Sequence, residues 1–502
     1  MWLVLRCIRC VRALGQKQTL SSDRQSADTK KTPNSSYSRL EGLPAELRVL
    51  ILSSAPDLPT LNALVRSSPI LHAQYLQSRN RILRACLGRE LDGLFIDAYA
   101  CEMSRPFRFG KLRRNQDIIH YLDEYRSWLS VPAQPPTIES LHPDSIKWMV
   151  RYHLSIARPL VRLYSSWALS WLEKETSSSI SQQKASSSKE AEVAEAPGTT
   201  QDNQHVELSR SEEIRLLQAL YRYETYHHLF GENSSERYGS FMPHVVNEMF
   251  LCQFDPWDVE AFGCIDMFVR SKYEELFDLV KVDLHPDNIK FRQPNGVYNP
   301  CGSHDLTMEH DDYMDGTVAH GLMLLMKLLR IQDHEQLVSE MQKSLDFSRN
   351  LDSSMCDVLD IEEQFVRRDV SPNFPNSRDK AEQRRDPMIF VGDSVPPHGP
   401  PFAWVALWNG KYSNIYGGYV PPSLRQWGYV MWDQHRLISM GMDRKTIWDE
   451  WEKWEELSKA INGDYDCIDV SRHAVMAWTQ YLYTIPKAEA GSYADNTPSL
   501  LT

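Results

Sequence analysis

The chain has 502 residues, a formal net charge of −12, 42% hydrophobic and 24% charged residues, the balance of a globular protein long enough to bury a large core. An acidic excess with no concentrated basic run argues against nucleic acid as a general partner, because neutralising phosphates needs surplus Lys and Arg on some face. No apolar run is long enough to span a bilayer, so no membrane partner is expected.

The start, MWLVLRCIRCVRALGQKQ, carries Arg6, Arg9, Arg12 and Lys17 and no acid before Asp23, a composition shared by mitochondrial transit peptides. Arginines interrupt its short apolar run, which argues against a secretory signal. Residues 18–39 are polar, and 1–39 is read as a disordered leader. Cysteines at 7, 10, 86, 101, 252, 264, 301, 356 and 467 show no repeated pairing, so free thiols in a reducing compartment are expected. Cytoplasm or nucleus is the expected location, with the mitochondrion as the alternative.

Residues 40–76, LEGLPAELRVLILSSAPDLPTLNALVRSSPILHAQYL, read as three short helices in a row. Pro44 suits an early helical position and Glu46 complements the helix dipole. Leu47, Leu50, Ile51 and Ser54 recur at helical spacing and make one apolar face, which Pro56 ends. Asp57 and Pro59 start a second helix with Leu61, Leu64 and Val65 on one side, and Ser67-Ser68-Pro69 caps a third. None is long enough to stand alone in water.

The opening Leu43-Pro44-Ala45-Glu46-Leu47, the turn Asp57-Leu58-Pro59 and the closing Leu64-Val65 together resemble the F-box. That resemblance implies docking on a Skp-type adaptor within a cullin-RING ubiquitin ligase, with the rest of the chain holding an unknown protein target. It also implies an adaptor-facing set of Leu43, Pro44, Leu47, Ile51, Leu61, Leu64 and Val65. The family often continues with a basic Ser-Arg-Arg-aromatic run, where this chain has Arg66-Ser67-Ser68-Pro69. An F-box-like unit followed by a long aromatic-rich region without repeats is similar to fungal proteins of F-box type.

Beyond the F-box-like segment, read as 40–85, the third helix continues through Ile82, Leu83, Cys86 and Leu87, and Gly93 marks a break. A helical region spans 86–175 and contains the amphipathic helix Asp117–Leu129, the Pro-rich run 131–136 and an aromatic-rich stretch with Trp148, Tyr152, Tyr164, Trp167 and Trp171. The Ser/Ala/Glu tract at 176–205 is read as a disordered low-complexity insertion. Helical pattern resumes over 206–370, where Asp255-Pro256-Trp257 reads as a cap and proline start, and Gly316 opens a long run buried at its front and solvated behind. A Pro-rich linker at 371–400 precedes a Trp-rich part at 401–485, with Trp448, Trp451 and Trp454 on one helix, and 486–502 is a flexible tail.

The densest polar cluster, SHDLTMEHDDYMDGTVAH, contains His304, Asp305, Glu309, His310, Asp311, Asp312, Asp315 and His320, which offers metal chemistry but no fixed ligand spacing. In VDLHPDNIKF, Asp283 and Asn288 have four residues between them, as in a kinase catalytic loop, yet no Gly-rich cradle lies upstream and Lys281 replaces the usual histidine. No catalytic set, metal site or cofactor is therefore assigned. The reading is mostly α: a small N-terminal three-helix unit followed by a large irregular helical domain, acting as a non-enzymatic F-box-type adaptor. The alternatives are a non-catalytic scaffold with an F-box-like cap, and a metal-dependent or kinase-like enzyme using residues 283–320.

Overall fold

The computed structural model describes residues 40–109, 112–130, 136–187, 207–231, 236–238, 241–291, 301–347, 354–359, 392–393, 399–408, 410, 412–413, 416–417, 420–449 and 451. The leader at 1–39, the tail at 486–502, Trp454, and most of the insertion and of the Pro-rich linker lie outside these residues. The fold is mostly helical, as the scarcity of alternating patterns predicts. A short parallel pair, β1 (Leu112–Arg114) with β2 (Glu236–Tyr238), is the strand structure among the described residues.

The N-terminal helices begin where local chemistry places them. Helix α1 (Ala45–Ser53) follows Pro44. Helix α2 (Leu58–Ser67) is capped by Asp57, whose carboxylate accepts from the Thr60 amide at 2.6 Å. Helix α3 (Pro69–Glu90) is capped by the Ser68 hydroxyl, which accepts from the Ile70 and Leu71 amides. Helix α3 does run on past the small unit, with a kink at Ser78 (φ −116°, ψ 21°), and α1 and α2 both pack against it. Gly93, at φ +79°, turns the chain into α4 (Phe95–Met103). Helix α5 (Asn115–Leu129) then buries Ile118, Tyr121, Leu122 and Tyr125.

Helix α6 (Pro143–Tyr152) passes through a π-helical turn, His153–Ala157, into α7 (Arg158–Ser187). Pro159 explains the wide turn, since it has no amide to give the Ser155 carbonyl four residues back and its ring crowds that group. The freed Ser155 carbonyl accepts instead from the Arg330 guanidinium. The backbone of α7 continues to Ser187, past the boundary at 176 where the low-complexity tract was expected to end the helix.

Helix α8 (Arg210–Phe230) is the axis of the body. A reciprocal capping box of Ser209 and Glu212 starts it. Every residue from Ile214 to Phe230 is buried, because α4, α7, α10 (Pro256–Leu284) and α12 (Gly321–Leu328) surround it. Helix α9 is Pro243–Met249, and α10 opens with Pro256, as its sequence predicts, whereas the Asp255 side chain expected to cap it makes no capping hydrogen bond. The long run from Gly316 is not one helix: α11 (His310–Val318), α12 and α13 (His334–Ser344) divide it. Gly321, at φ +75°, makes the first break, a conformation that costs other residues strain.

The Trp-rich part belongs to the same core. Trp404, Trp408, Trp427, Trp432 and Trp451 are fully buried, Trp404 meets Trp257 of α10 at 5.1 Å, and Trp408 meets Trp451 at 5.4 Å. Arg425 reaches both carboxylate oxygens of Glu260 at 3.0 Å, joining the C-terminal segment to α10.

A helix buried on all sides with this many polar residues must match each of them. On α8, Arg222 donates to Asp97 of α4 and to Asp258 of α10, each at 2.8 Å, while Gln218 and the Tyr125 hydroxyl also donate to Asp97. Burial pulls the Arg222 guanidinium down, but the two carboxylates outweigh it and raise it well above its ordinary value. Arg215 bridges Asp393 and Asp433, and Glu212 holds Arg436 and the Asp433 amide. The Tyr223 hydroxyl donates to Asp266 at 2.8 Å.

Arg222→Met should cost about 3–5 kcal/mol of stability, because it strands the Asp97 carboxylate in the core. Urea unfolding measures that loss, and Arg222→Met combined with Asp97→Asn should recover part of it. His227 is the exception to the matching on α8: neither ring nitrogen has a hydrogen-bond partner among the described residues. Burial pushes its imidazole down to about 3, with Asp266 opposing and Arg270, His228 and His320 adding. The unfolded chain therefore binds one more proton than the folded one between that value and the ordinary 6.5, so stability falls as pH falls through this window. The contribution is about 1.4 kcal/mol per pH unit, and His227→Gln should remove it from the difference between the two proteins' pH–stability curves.

Candidate functional site

Helix α1 has two apolar sides. At about 100° per residue, Val49 and Leu52 lie on one side and Leu47, Leu50 and Ile51 on the other, while Leu43 and Pro44 precede the helix. The core takes the first side, with Leu52 fully buried. On the second, Leu47 is 44% and Leu50 56% exposed, and Ile51 is half-buried.

The adaptor-facing set implied by the F-box resemblance therefore divides. Leu47 and Ile51 lie on the outer side of α1, and Leu43, half-buried, and Pro44, exposed, lie in the turn that precedes it. Leu61 and Val65 on α2 are in the core, at 3% and 8% exposure, and half-buried Leu64 packs against it. Leu50, absent from that set, is more exposed than Leu47. Its place three residues after Leu47 was a readable signal for it.

Polar contacts hold the small unit in one orientation on the body. The Glu90 carboxylate, at the end of α3, accepts from the Leu58 amide at 2.8 Å, lies 3.1 Å from His153 Nε2 and pairs with Arg158. Burial would raise the Glu90 carboxyl, but the bonds from His153, Leu58 and Arg158 outweigh it and hold the group below its usual range. Arg89 donates to the Ser53 and Ala55 carbonyls behind α1, and the Cys86 thiol reaches the Leu52 carbonyl at 3.4 Å. With its core side anchored, α1 presents its outer leucines from a fixed frame.

The His and Asp cluster at 304–320 does not converge on one point. His304 Nδ1 meets the Tyr313 hydroxyl at 3.2 Å, Asp315 pairs with Arg270 at 2.6 Å, and His320 faces Asp346 at 3.6 Å. His310 lies 3.0 Å from both Glu274 and Asp311. Partial burial pulls the His310 imidazole down, but these hydrogen bonds outweigh it and hold the group above its ordinary value. Among the described residues no group of His, Cys, Asp and Glu is arranged to hold a metal ion.

Asp283 and Asn288 are likewise separate. Asp283 pairs with His334 at 3.0 Å, whereas the Asn288 amide donates to the Val282 carbonyl and its oxygen accepts from the Lys290 amide. Asn288 thus closes the turn that follows α10. Cys86, Cys101, Cys252, Cys264 and Cys301 are free thiols. Burial raises the Cys86, Cys101 and Cys264 thiols, which keeps them in the protonated form that is a poor nucleophile. No helix among the described residues is long and apolar enough to cross a membrane.

Compared with family models, with curated proteins and with solved structures, the chain matches none. The outer face of α1 is then the feature whose residue types, exposure and anchoring together point to a partner.

Leu47→Asp and Leu50→Asp should each cost no more than about 1 kcal/mol of stability, since roughly half of each side chain is already in water. Leu61→Asp puts a charge into the core and should unfold the N-terminal unit, read as lost protection of the α1–α3 amides in hydrogen exchange.

Proposed function

We propose that the chain is an F-box-type adaptor, which docks a Skp-type subunit of a cullin-RING ubiquitin ligase through α1 and presents a protein target on its helical body. The observation that carries this reading is the second apolar side of α1. A surface helix in a globular protein has one apolar stripe facing the core, and a further stripe of Leu47, Leu50 and Ile51 facing outward is the pattern of a helix with two partners. The Leu43-Pro44-Ala45-Glu46-Leu47 opening adds the family resemblance at the same place. Docking would bury these leucines at the centre of an interface, where apolar anchors contribute most of the affinity. Ubiquitin transfer would then take place on other subunits.

A second reading, a scaffold whose F-box-like unit caps the helical body, is favoured by two facts. Leu61 and Val65 are already buried, and α3 continues into the body with Glu90 tied to His153 and Arg158. A pull-down with a purified Skp-type adaptor separates the two. Under the adaptor reading the wild-type chain is retained, and the double variant Leu47→Asp/Leu50→Asp loses at least about tenfold in affinity while keeping its circular dichroism spectrum. If the wild type is not retained, the adaptor reading falls and the scaffold reading stands.

A further inference from the structure

Far along α8 from its capping box, a pocket of about 290 Å³ opens, lined by Glu224, His227 and His228 together with His320, Met323 and Lys343. Glu224, His228 and His320 already have partners in the surrounding structure. Glu224 accepts from the Leu322 amide at 2.6 Å and lies 3.4 Å from His228 Nε2, while His228 Nδ1 meets the Ser104 hydroxyl at 3.0 Å. His320 faces Asp346 at 3.6 Å.

Two groups are left over. His227, 4% exposed, has neither nitrogen bonded among the described residues. Lys343, at the exposed end of α13, has no ion pair among them. Buried polar groups in native proteins are bonded, and an orphaned imidazole lining a cavity marks a place where a bound molecule completes the bonding. As a neutral ring, His227 offers one N–H and one lone pair, which suits a hydroxyl or carbonyl oxygen rather than a full charge.

The charges order the occupant. Lys343 favours an anion at the mouth, and the buried Glu224 carboxylate repels a second negative charge deeper in. Phosphate is disfavoured, because the Leu322 amide at the start of α12 is already taken by Glu224 and no arginine lines the cavity. The volume is at the small end of ligand pockets, which limits the occupant to metabolite size. We propose that this pocket binds a small hydroxy- or oxo-carboxylic acid, with its carboxylate at Lys343 and its hydroxyl or carbonyl oxygen at His227. The inference is independent of the docking role of α1.

Titration calorimetry and saturation-transfer NMR on the full chain, with the monocarboxylates lactate and 2-oxobutyrate as probes and butyrate, inorganic phosphate and zinc as controls, test it. Lactate or 2-oxobutyrate should bind, and butyrate, which lacks the hydroxyl or oxo oxygen, should bind at least about tenfold more weakly. Lys343→Met should weaken binding about tenfold, and Met323→Trp, at a position 47% exposed, should block the mouth without disturbing the fold. Three results would overturn the proposal: neither acid binds at up to about 10 mM, leaving water as the occupant; binding is unchanged in both variants; or zinc alone gives a signal.

Discussion

The ion pair between Arg222 on α8 and Asp97 on α4 is the contact around which the helical body is arranged. Helix α8 is too polar to be buried by the hydrophobic effect alone, and it is buried because neighbouring helices bring a counter-group to each charge. Asp97 gathers Arg222, Gln218 and Tyr125, so α4, α5 and α8 meet at one carboxylate. Asp258 and Asp266 bring α10 to the other side, and Asp433 brings in the C-terminal segment. Each pair gains little net energy over an apolar equivalent, but leaving one unmatched is costly, so the arrangement selects a single way of packing the helices.

The same logic fixes the N-terminal unit. Pro159 forces a wide turn at His153–Ala157, and His153 there lies against both Glu90 and the Tyr221 hydroxyl, 2.7 Å from its Nδ1. Glu90 in turn receives the amide that starts α2. A bonded path therefore runs from α2 through Glu90 and His153 to α8. The unit that resembles an F-box is in this way part of the body, and the outer side of α1 remains the surface it offers.

Two features stand apart from this matching. One is the outer stripe of α1, apolar where a surface helix needs no apolar groups. The other is His227, polar and buried with neither ring nitrogen hydrogen-bonded among the described residues. Each departs from the matching that holds the helices around α8 together. Sites that break local consistency are where function is concentrated.

Much of the local structure was legible in the sequence, because it depends on near neighbours. The caps at Asp57 and Ser68, the proline start of α10, the amphipathic α5 and the mostly α class follow from residue types at short spacing, as does the shared face of Leu47, Leu50 and Ile51. The sequence by itself did not show which side of α1 the core would take, since both sides are apolar and only contact with α3 decides. It marked Leu61 and Val65 as apolar without showing that the core would consume them. It also read α8 as a helix like any other, whereas the partners that bury it, Asp97, Asp258, Asp266 and Asp433, lie far away in the chain. Periodicity reports which residues share a face, and only the tertiary structure decided what each face meets, because burial is set by contacts between distant segments.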